Sequence, residues 1–415
     1  MVPDPRCGWK TKHDMAEVLT CLVAGYVTGH TTLRRCLAWC ARHLEWLRGM
    51  GLRLQNGIAS VATVSRILTG MDEELFLFAF MEWIGEILDT KGQHLAIDGK
   101  AVRAAASKVR GTRAPMLLNA LDVATGLVLA QLPIQGKECE ITSIPGLLGL
   151  LDIRGSVITI DAVGTQTSIM EQILDQGGHF LLMVKKNQPL SYEEITGQFA
   201  ELEKEKARMR ADKAYRPQYP EMMEKYDEAT SFEKNRDRYE YRKFQACSHP
   251  DIVTRTRKEW PFVKSVGCAR QTRILMVRDE DGEDITPDEK TFLEKGTSRQ
   301  PKPVAGDHEG SDIQTVGLIS DIEMTAEDMG KCKRGHWAVE NRLHHVLDDT
   351  FREDRSPAKG SKNNLALIRK FAYNILRLAM IHLSLKRPMT EMMDLFSDDK
   401  ELLGRYLFNG IESFY

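Results

Sequence analysis

The 415-residue chain has no apolar run long enough to cross a bilayer. Its most apolar early stretch, Val18 to Val27, is interrupted by Thr20 and Gly25 and falls short of the roughly 20 apolar residues a membrane helix takes, so it reads as a buried helix with no membrane role. No basic, apolar and small-residue series opens the chain, so a secretory leader is not expected and the cytoplasm is the default compartment. The eight cysteines are few and scattered, which speaks against a disulfide framework and for reduced thiols. Cys36, Cys40 and His43 are spaced to approach one another, but no second close pair completes a zinc site, and one face of a helix is the favoured reading. An excess of positive charge is also missing. With 57 Lys plus Arg against 59 Asp plus Glu, the net charge of −2 gives no argument for a nucleic-acid partner. Internal repeats and low-complexity tracts are lacking as well.

What is present is a normal globular composition, 42% hydrophobic and 28% charged, over a length that calls for two or three domains. Charge matters locally because screening cuts it off within about 10 Å in moderate salt. Two stretches are basic and acid-free: Lys100 to Arg113 and Arg355 to Lys370. Each alone is equally well read as a solvated face.

The first ninety residues carry helical periodicity over Met15 to Val27, Leu33 to Leu47 and Leu75 to Leu88, with Ser60 and Thr63 placed to cap a short helix between the last two. The pattern then changes to short strands: His94 to Asp98, Met116 to Asp122, and Leu127 to Pro133 after the hairpin chemistry of Thr125-Gly126. A helix over Ile141 to Leu151, a strand at Val157 to Ile160, a helix over Ser168 to Gln176 and a strand at His179 to Val184 complete the order βββαβαβ. Strands without alternation are buried on both faces, so an α/β layer is expected. Glu201 to Arg242 is highly charged and reads as partly helical and solvent-facing. Strands follow near Tyr239 to Cys247, Val263 to Gln271 and Arg273 to Val277, then a loop from Asp279 to Gly310. Thr315 to Ser320 is a last strand, and Ala326 to Lys333, His336 to Leu347 and Asn364 to Leu385 are helices.

Asp98 and Asp161 each end a mostly apolar run, just before a Gly-containing turn, where α/β sheets place ligand crevices. A turn or N-cap role remains open for either. Glu340 lies on the helix His336 to Leu347, with His336 and His344 four residues to either side and Trp337, Val339, Leu343, Val346 and Leu347 on the apolar face. Three carboxylates repel, each like-charge pair at 4 Å costing roughly 4 kcal/mol at an effective dielectric of 20, and a divalent cation resolves that. Two Mg²⁺ ions could then activate an attacking oxygen and stabilise a leaving one at phosphorus.

These residues sit among short motifs in a fixed order. They are Asp4-Pro5-Arg6; Gly57-Ile58 with Thr63 and Arg66; Ile97-Asp98-Gly99-Lys100 with Arg103; Lys137 with Glu140-Ile141; and Thr159-Ile160-Asp161-Ala162 with Gln166. Lys185 with Asn187-Gln188, then Arg334, His336-Trp337, Glu340-Asn341, Leu343-His344, Leu347-Asp348, Phe351 and Glu353-Asp354 continue it. In this the chain resembles insertion-sequence DDE transposases, specifically the H-repeat-associated, ISAs-type branch, over nearly its whole length. The resemblance implies a ribonuclease-H-like mixed sheet flanked by helices. Residues 91–189 and 311–390 would form its catalytic core, 1–90 a helical DNA-binding or accessory domain, 190–310 an insertion before the last catalytic helix, and 391–415 a tail.

It implies further that Asp98, Asp161 and Glu340 hold two Mg²⁺ ions, Mn²⁺ being able to substitute. The expected partners are double-stranded DNA, as transposon ends and target, and a second copy of the chain in a synaptic homodimer. Lys100, Arg103, Lys185, Asn187, Gln188, Arg334, His336 and Asn341 are candidate DNA contacts, with packing roles equally open for each. Related branches place Tyr, Arg and Lys where this chain has Lys333, His336 and Leu347, so those roles do not carry over. Ala59, His345 and Asp349 stand where the branch usually has Pro, Trp and Val. A nuclease of the same fold that cuts without joining, and an inactive DNA-binding relic, are the alternatives.

Overall fold

The computed structural model describes residues 2–8, 11–101, 116–134, 140–235, 238–275, 277–278, 284–285, 313–355 and 361–408. The chain divides into two compact units, one made of Met1–Ser156 with His336–Tyr415, the other of Val157–Gly335.

The first unit begins with helices Met15–Val27, Leu33–Arg42, Leu44–Gly49, Val61–Gly70 and Glu73–Gly85. Four of them start where a short polar side chain can accept a first-turn N–H: Asp14 from Glu17, Thr32 from Arg35, Ser60 from Thr63 and Asp72 from Leu75. The single helix expected over Leu33 to Leu47 is broken at His43, whose ring and backbone N–H both turn back to the Trp39 carbonyl. The apolar faces of these helices close on the long helix Lys362–His382, giving a core that includes Leu22, Trp39, Phe80, Phe351 and Tyr373. Cys36 and Cys40 belong to this core, their thiols donating to the carbonyls of His30 and Cys21. The stretch 391–415, expected as a tail, is helical through Phe408 in Met389–Asp398 and Lys400–Phe408. The reason is visible in the spacing: Met389, Met392, Met393 and Phe396 form one buried stripe.

Strands β1 (His94–Ala101), β2 (Met116–Asp122) and β3 (Val128–Ile134) make an antiparallel sheet in the order β3-β2-β1. The β2–β3 turn is as expected: Gly126 takes φ +74°, and the Asp122 carboxylate accepts from the Thr125 N–H and hydroxyl. Helix Glu140–Leu148 packs on β2 and β3, on the face to which Gly99 points. The opposite face carries Asp98 and Lys100, two residues apart on β1.

The second unit is a six-stranded mixed sheet. Its strands are β4 (Val157–Ile160), β5 (His179–Val184), β6 (Tyr226–Asn235), β7 (Arg238–Cys247), β8 (Ser265–Leu275) and β9 (Ile313–Ser320), in the order β4-β5-β9-β8-β7-β6. Only β4 and β5 run parallel. Helix Thr167–Asp175 connects them, Pro189–Ala211 packs on β8 and β9, and Ala326–His336 sits so close that a Cβ on Gly330 would lie 2.8 Å from the Phe244 ring. The charged segment 201–242 is thus only partly helical; from Tyr226 it becomes a hairpin. Its charges read as a solvated face because their partners are across the strands and far in sequence: Arg242 pairs with Glu233 at 2.9 Å and Lys243 with Glu228 at 3.5 Å. The two strands expected over Val263 to Val277 form one continuous strand to Leu275. Among the described residues no helix is long and apolar enough to cross a membrane.

Candidate active site

Asp98 is not at a strand end. It lies inside β1, opposite Asn119 of β2, and Gly99 after it is extended and paired with Leu118. The glycine is there for space: a Cβ at position 99 would lie 2.7 Å from an oxygen of the buried Glu140 side chain. The side chain of Asp98 is 30% exposed, accepts from the Gly99 N–H at 2.9 Å, and has Oδ2 3.6 Å from Nδ1 of His344. That separation is too long for a hydrogen bond. Burial, then the charges of Lys100 and Lys370, push His344 down to about 3, so it is neutral at physiological pH and makes no ion pair with Asp98. Its other nitrogen, Nε2, lies 3.2 Å from the Asn119 amide. With that amide donating, Nδ1 is the nitrogen that carries the proton, on the side facing Asp98.

Asp98, Asn119 and Gln131 are successive cross-strand partners, so they form one polar row across the sheet. Asn119 and Gln131 are buried, and Lys370 donates to Gln131 at 2.6 Å. Beside the row, the Lys100 ammonium is buried between two carboxylates, 2.6 Å from Asp348 and 2.5 Å from Glu353. Burial alone would raise Glu353, but Lys370, Lys100 and Arg369 together hold it at about 2. Lys100, a candidate DNA contact by sequence, therefore faces carboxylates inside the unit. Lys370 and Arg369, from the second acid-free stretch, are buried as well. Arg103 and the rest of the first stretch lie outside the described residues.

Glu340 is exposed, on a π turn, Val339–His344, that interrupts the helical course between Ala326 and Asp349 and lies against β1. The His345 N–H bonds to the Glu340 carbonyl, one residue further back than in an α-helix. Because of the wider turn, residues four apart no longer share a face: Glu340, Asn341 and Arg342 are exposed, while His336 and His344 are buried at 6% and 8% exposure. The expected stripe of Glu340 flanked by two histidines is not formed, and His336 does not offer a surface contact. Inserted π turns of this kind concentrate at functional positions.

Asp161, in the second unit, follows β4 directly and opens a short 3-10 turn, Ala162–Gly164, at the end where the parallel strands β4 and β5 both finish. Three candidate DNA contacts from the loop after β5 converge on this turn. Lys185 pairs with Asp161 at 2.6 Å, Asn187 donates to the Ala162 carbonyl at 3.0 Å, and Gln188 donates to the Thr165 carbonyl. Both amides thus brace the backbone around Asp161. Lys333, on helix Ala326–His336, is pushed down to about 8 by burial and then by Lys185 and Arg242, with Asp161 acting the other way. Arg334 pairs with Glu233 at 2.6 Å and remains half-exposed.

Sequence reasoning missed Asn119 and Gln131, and named Glu353 only within a motif, without a role. The signal was available for the first two, as lone amides in otherwise apolar strands, MLLNALD and VLAQLPI. Among the described residues no three His, Cys, Asp or Glu side chains are gathered as a preformed metal cage. The donor chemistry of Asp98, Asp161 and Glu340 nevertheless fits a hard divalent cation: all are carboxylates with exposed oxygen, and Asp161 already holds an ammonium.

Residues 89–375 match the family described as Transposase DDE domain, and residues 1–84 match the one described as DDE_Tnp_1-associated. The H repeat-associated putative transposase YhhI of Escherichia coli K12 is 28% identical, over 91% of this chain and 88% of its own length. An uncharacterized protein from the dhlA 3' region of Xanthobacter autotrophicus is 31% identical over 66% of this chain and 87% of its own. The piggyBac transposase, solved in a synaptic complex with hairpin DNA, overlaps 97% of this chain and 75% of its own at 11% identity and a TM-score of 0.38, too loose an overlap to define a common fold.

Proposed function

The chain belongs to the DDE transposase family, and on that premise we propose that it cuts DNA at the ends of a mobile element and joins the freed 3′ hydroxyl to target DNA. The observation that carries this is the family match over 89–375, which includes Asp98, Asp161 and Glu340 together. Under this reading the fold is ribonuclease-H-like, with residues 190–310 an insertion in its core and 1–90 helping to bind element ends. Two ends brought together call for a homodimer, working in the cytoplasm at the nucleoid.

Asp98, Asp161 and Glu340 would hold two divalent ions, Mg²⁺ in the cell, which supply Lewis-acid activation of the attacking and leaving oxygens. The chain's own residues prepare the rest. Asn187 and Gln188 fix the turn that presents Asp161, and the Lys185 ammonium pairs with that carboxylate at 2.6 Å. Neutral His344, 3.6 Å from Asp98, brings no positive charge to compete with a cation there. Of the candidate contacts among the described residues, exposed Asn341 and Asn187 and half-exposed Arg334 and Lys185 can reach phosphates.

The test is Mg²⁺-dependent nicking of a duplex carrying the element's terminal inverted repeat. Asp98→Asn, Asp161→Asn and Glu340→Gln should each abolish cutting while leaving end binding in place; full nicking by all three would sink the assignment. Offered pre-cut ends, the wild-type chain should give joined product, whereas a nuclease that only cuts would give none.

A further inference from the structure

The buried ammonium of Lys100 is turned away from the DNA contact expected of it by sequence. It sits two residues after Asp98 on the same face of β1, and its partner Asp348 follows His344 by four residues on the helical course that carries Glu340. Strand and helix therefore meet at two matched steps: Asp98 faces His344, and Lys100 faces Asp348. Glu353 closes the second step from below, at 2.5 Å from the same ammonium and 3.8 Å from Arg369 of the helix Lys362–His382. Arg369 in turn lies over the Tyr26 ring. Lys100 is 5% exposed and Glu353 1%, so that arm is dry, while the Asp348 side chain is 33% exposed.

We propose that Lys100 is a positioning residue: by binding Asp348 and Glu353 at once, it fixes the register of the Glu340-bearing segment on the strand that carries Asp98. A slip of one residue along a helix rotates its side chains by about 100°. The π turn between residues 339 and 344 leaves that segment with a weaker bonding ladder of its own, so the clamp supplies a register that the helix does not. This rests on Asp98 and Glu340 being metal ligands, and it assigns Lys100 to the protein rather than to DNA phosphate.

The experiment uses the full chain and the end-repeat duplex. Mg²⁺ is titrated against nicking, end binding is followed by anisotropy in EDTA, and amide exchange across 339–349 is read without metal. For Lys100→Met, the Mg²⁺ midpoint should rise about tenfold or more, as for residues that orient metal ligands. Exchange across 339–349 should quicken, end affinity should stay within about twofold of wild type, and Lys100→Arg should recover part of the loss. An unchanged Mg²⁺ midpoint overturns the proposal. So does weakened end binding with the salt slope reduced by about one, the signature of a lost phosphate contact. If Lys100→Met does not fold, Asp348→Asn decides, because it removes only the helix-side arm and leaves the Lys100–Glu353 pair; a wild-type midpoint there overturns the clamp. Failure of the underlying reading looks different: wild-type chain without Mg²⁺-dependent nicking, or Asp98→Asn that still nicks.

Discussion

His94 opens β1 four residues before Asp98 and is the residue whose protonation most plainly opposes folding away from the candidate site. Burial pushes it down to about 4 from an ordinary 6.5, against a small opposing pull from Asp122. As pH falls through 6.5 the unfolded chain takes up a proton that the folded chain refuses until about pH 4, so stability is lost across that window, by up to ~3 kcal/mol. Glu353 acts lower: its folded value of about 2 against 4.5 gives stability that is present above 4.5 and lost as pH drops towards 2. Urea melts of wild type and His94→Gln between pH 7 and 4 should show a steep slope for the first and a shallower one for the second; equal slopes would remove His94 as the cause. Gly99 shows the limit of reading single residues. Its letter is the same in a turn as in a strand pressed against Glu140, and only the distant partner decides.

At the scale of elements, packing distances are set by small residues. A Cβ on Gly25 would come within 2.4 Å of the Cys36 Cβ, so helices Met15–Val27 and Leu33–Arg42 touch through that glycine. Gly25→Ala should gain helix propensity yet lose about 1 to 3 kcal/mol to overpacking, measurable as a lower chemical-denaturation midpoint; a neutral or stabilising result would mean the helices can shift apart. Most elements were legible because periodicity is local: the hairpin at Thr125-Gly126, the strands Met116–Asp122 and His179–Val184 and the cap at Ser60 depend on neighbours in sequence. Strand β6 was not, although its partner β7 was, because its charges are neutralised across the pair. Nor was the π turn at Glu340, which is a departure from the periodicity used to read the helix. The carboxylates could be named from their motifs, but the polar row Asp98, Asn119, Gln131 needed strand register, which no single segment encodes.

For the whole molecule, the first unit is assembled from both ends of the chain, with 157–335 between them. The N-terminal helices have no core of their own; Leu22, Trp39 and Phe80 share one with Leu376 and Tyr373 of the helix Lys362–His382. Deleting residues 1–88 should therefore leave an aggregating remainder rather than a folded catalytic core, judged by gel filtration and far-UV circular dichroism. A monodisperse, folded remainder would show that the shared core is dispensable.

That discontinuity also sets a timetable for the ribosome. The helices up to Gly85 are made early, but the helix that covers them begins at Lys362, close to 280 residues later. At synthesis rates of about 5 to 20 residues per second, their apolar faces wait roughly 15 to 60 s for a partner. A premature stop between residues 161 and 340 yields a nascent chain with Asp98 and Asp161 but no closed core and no Glu340. Under the proposed function, such half-made copies would expose those apolar faces and lack one of the proposed metal ligands, so only finished chains would cut DNA.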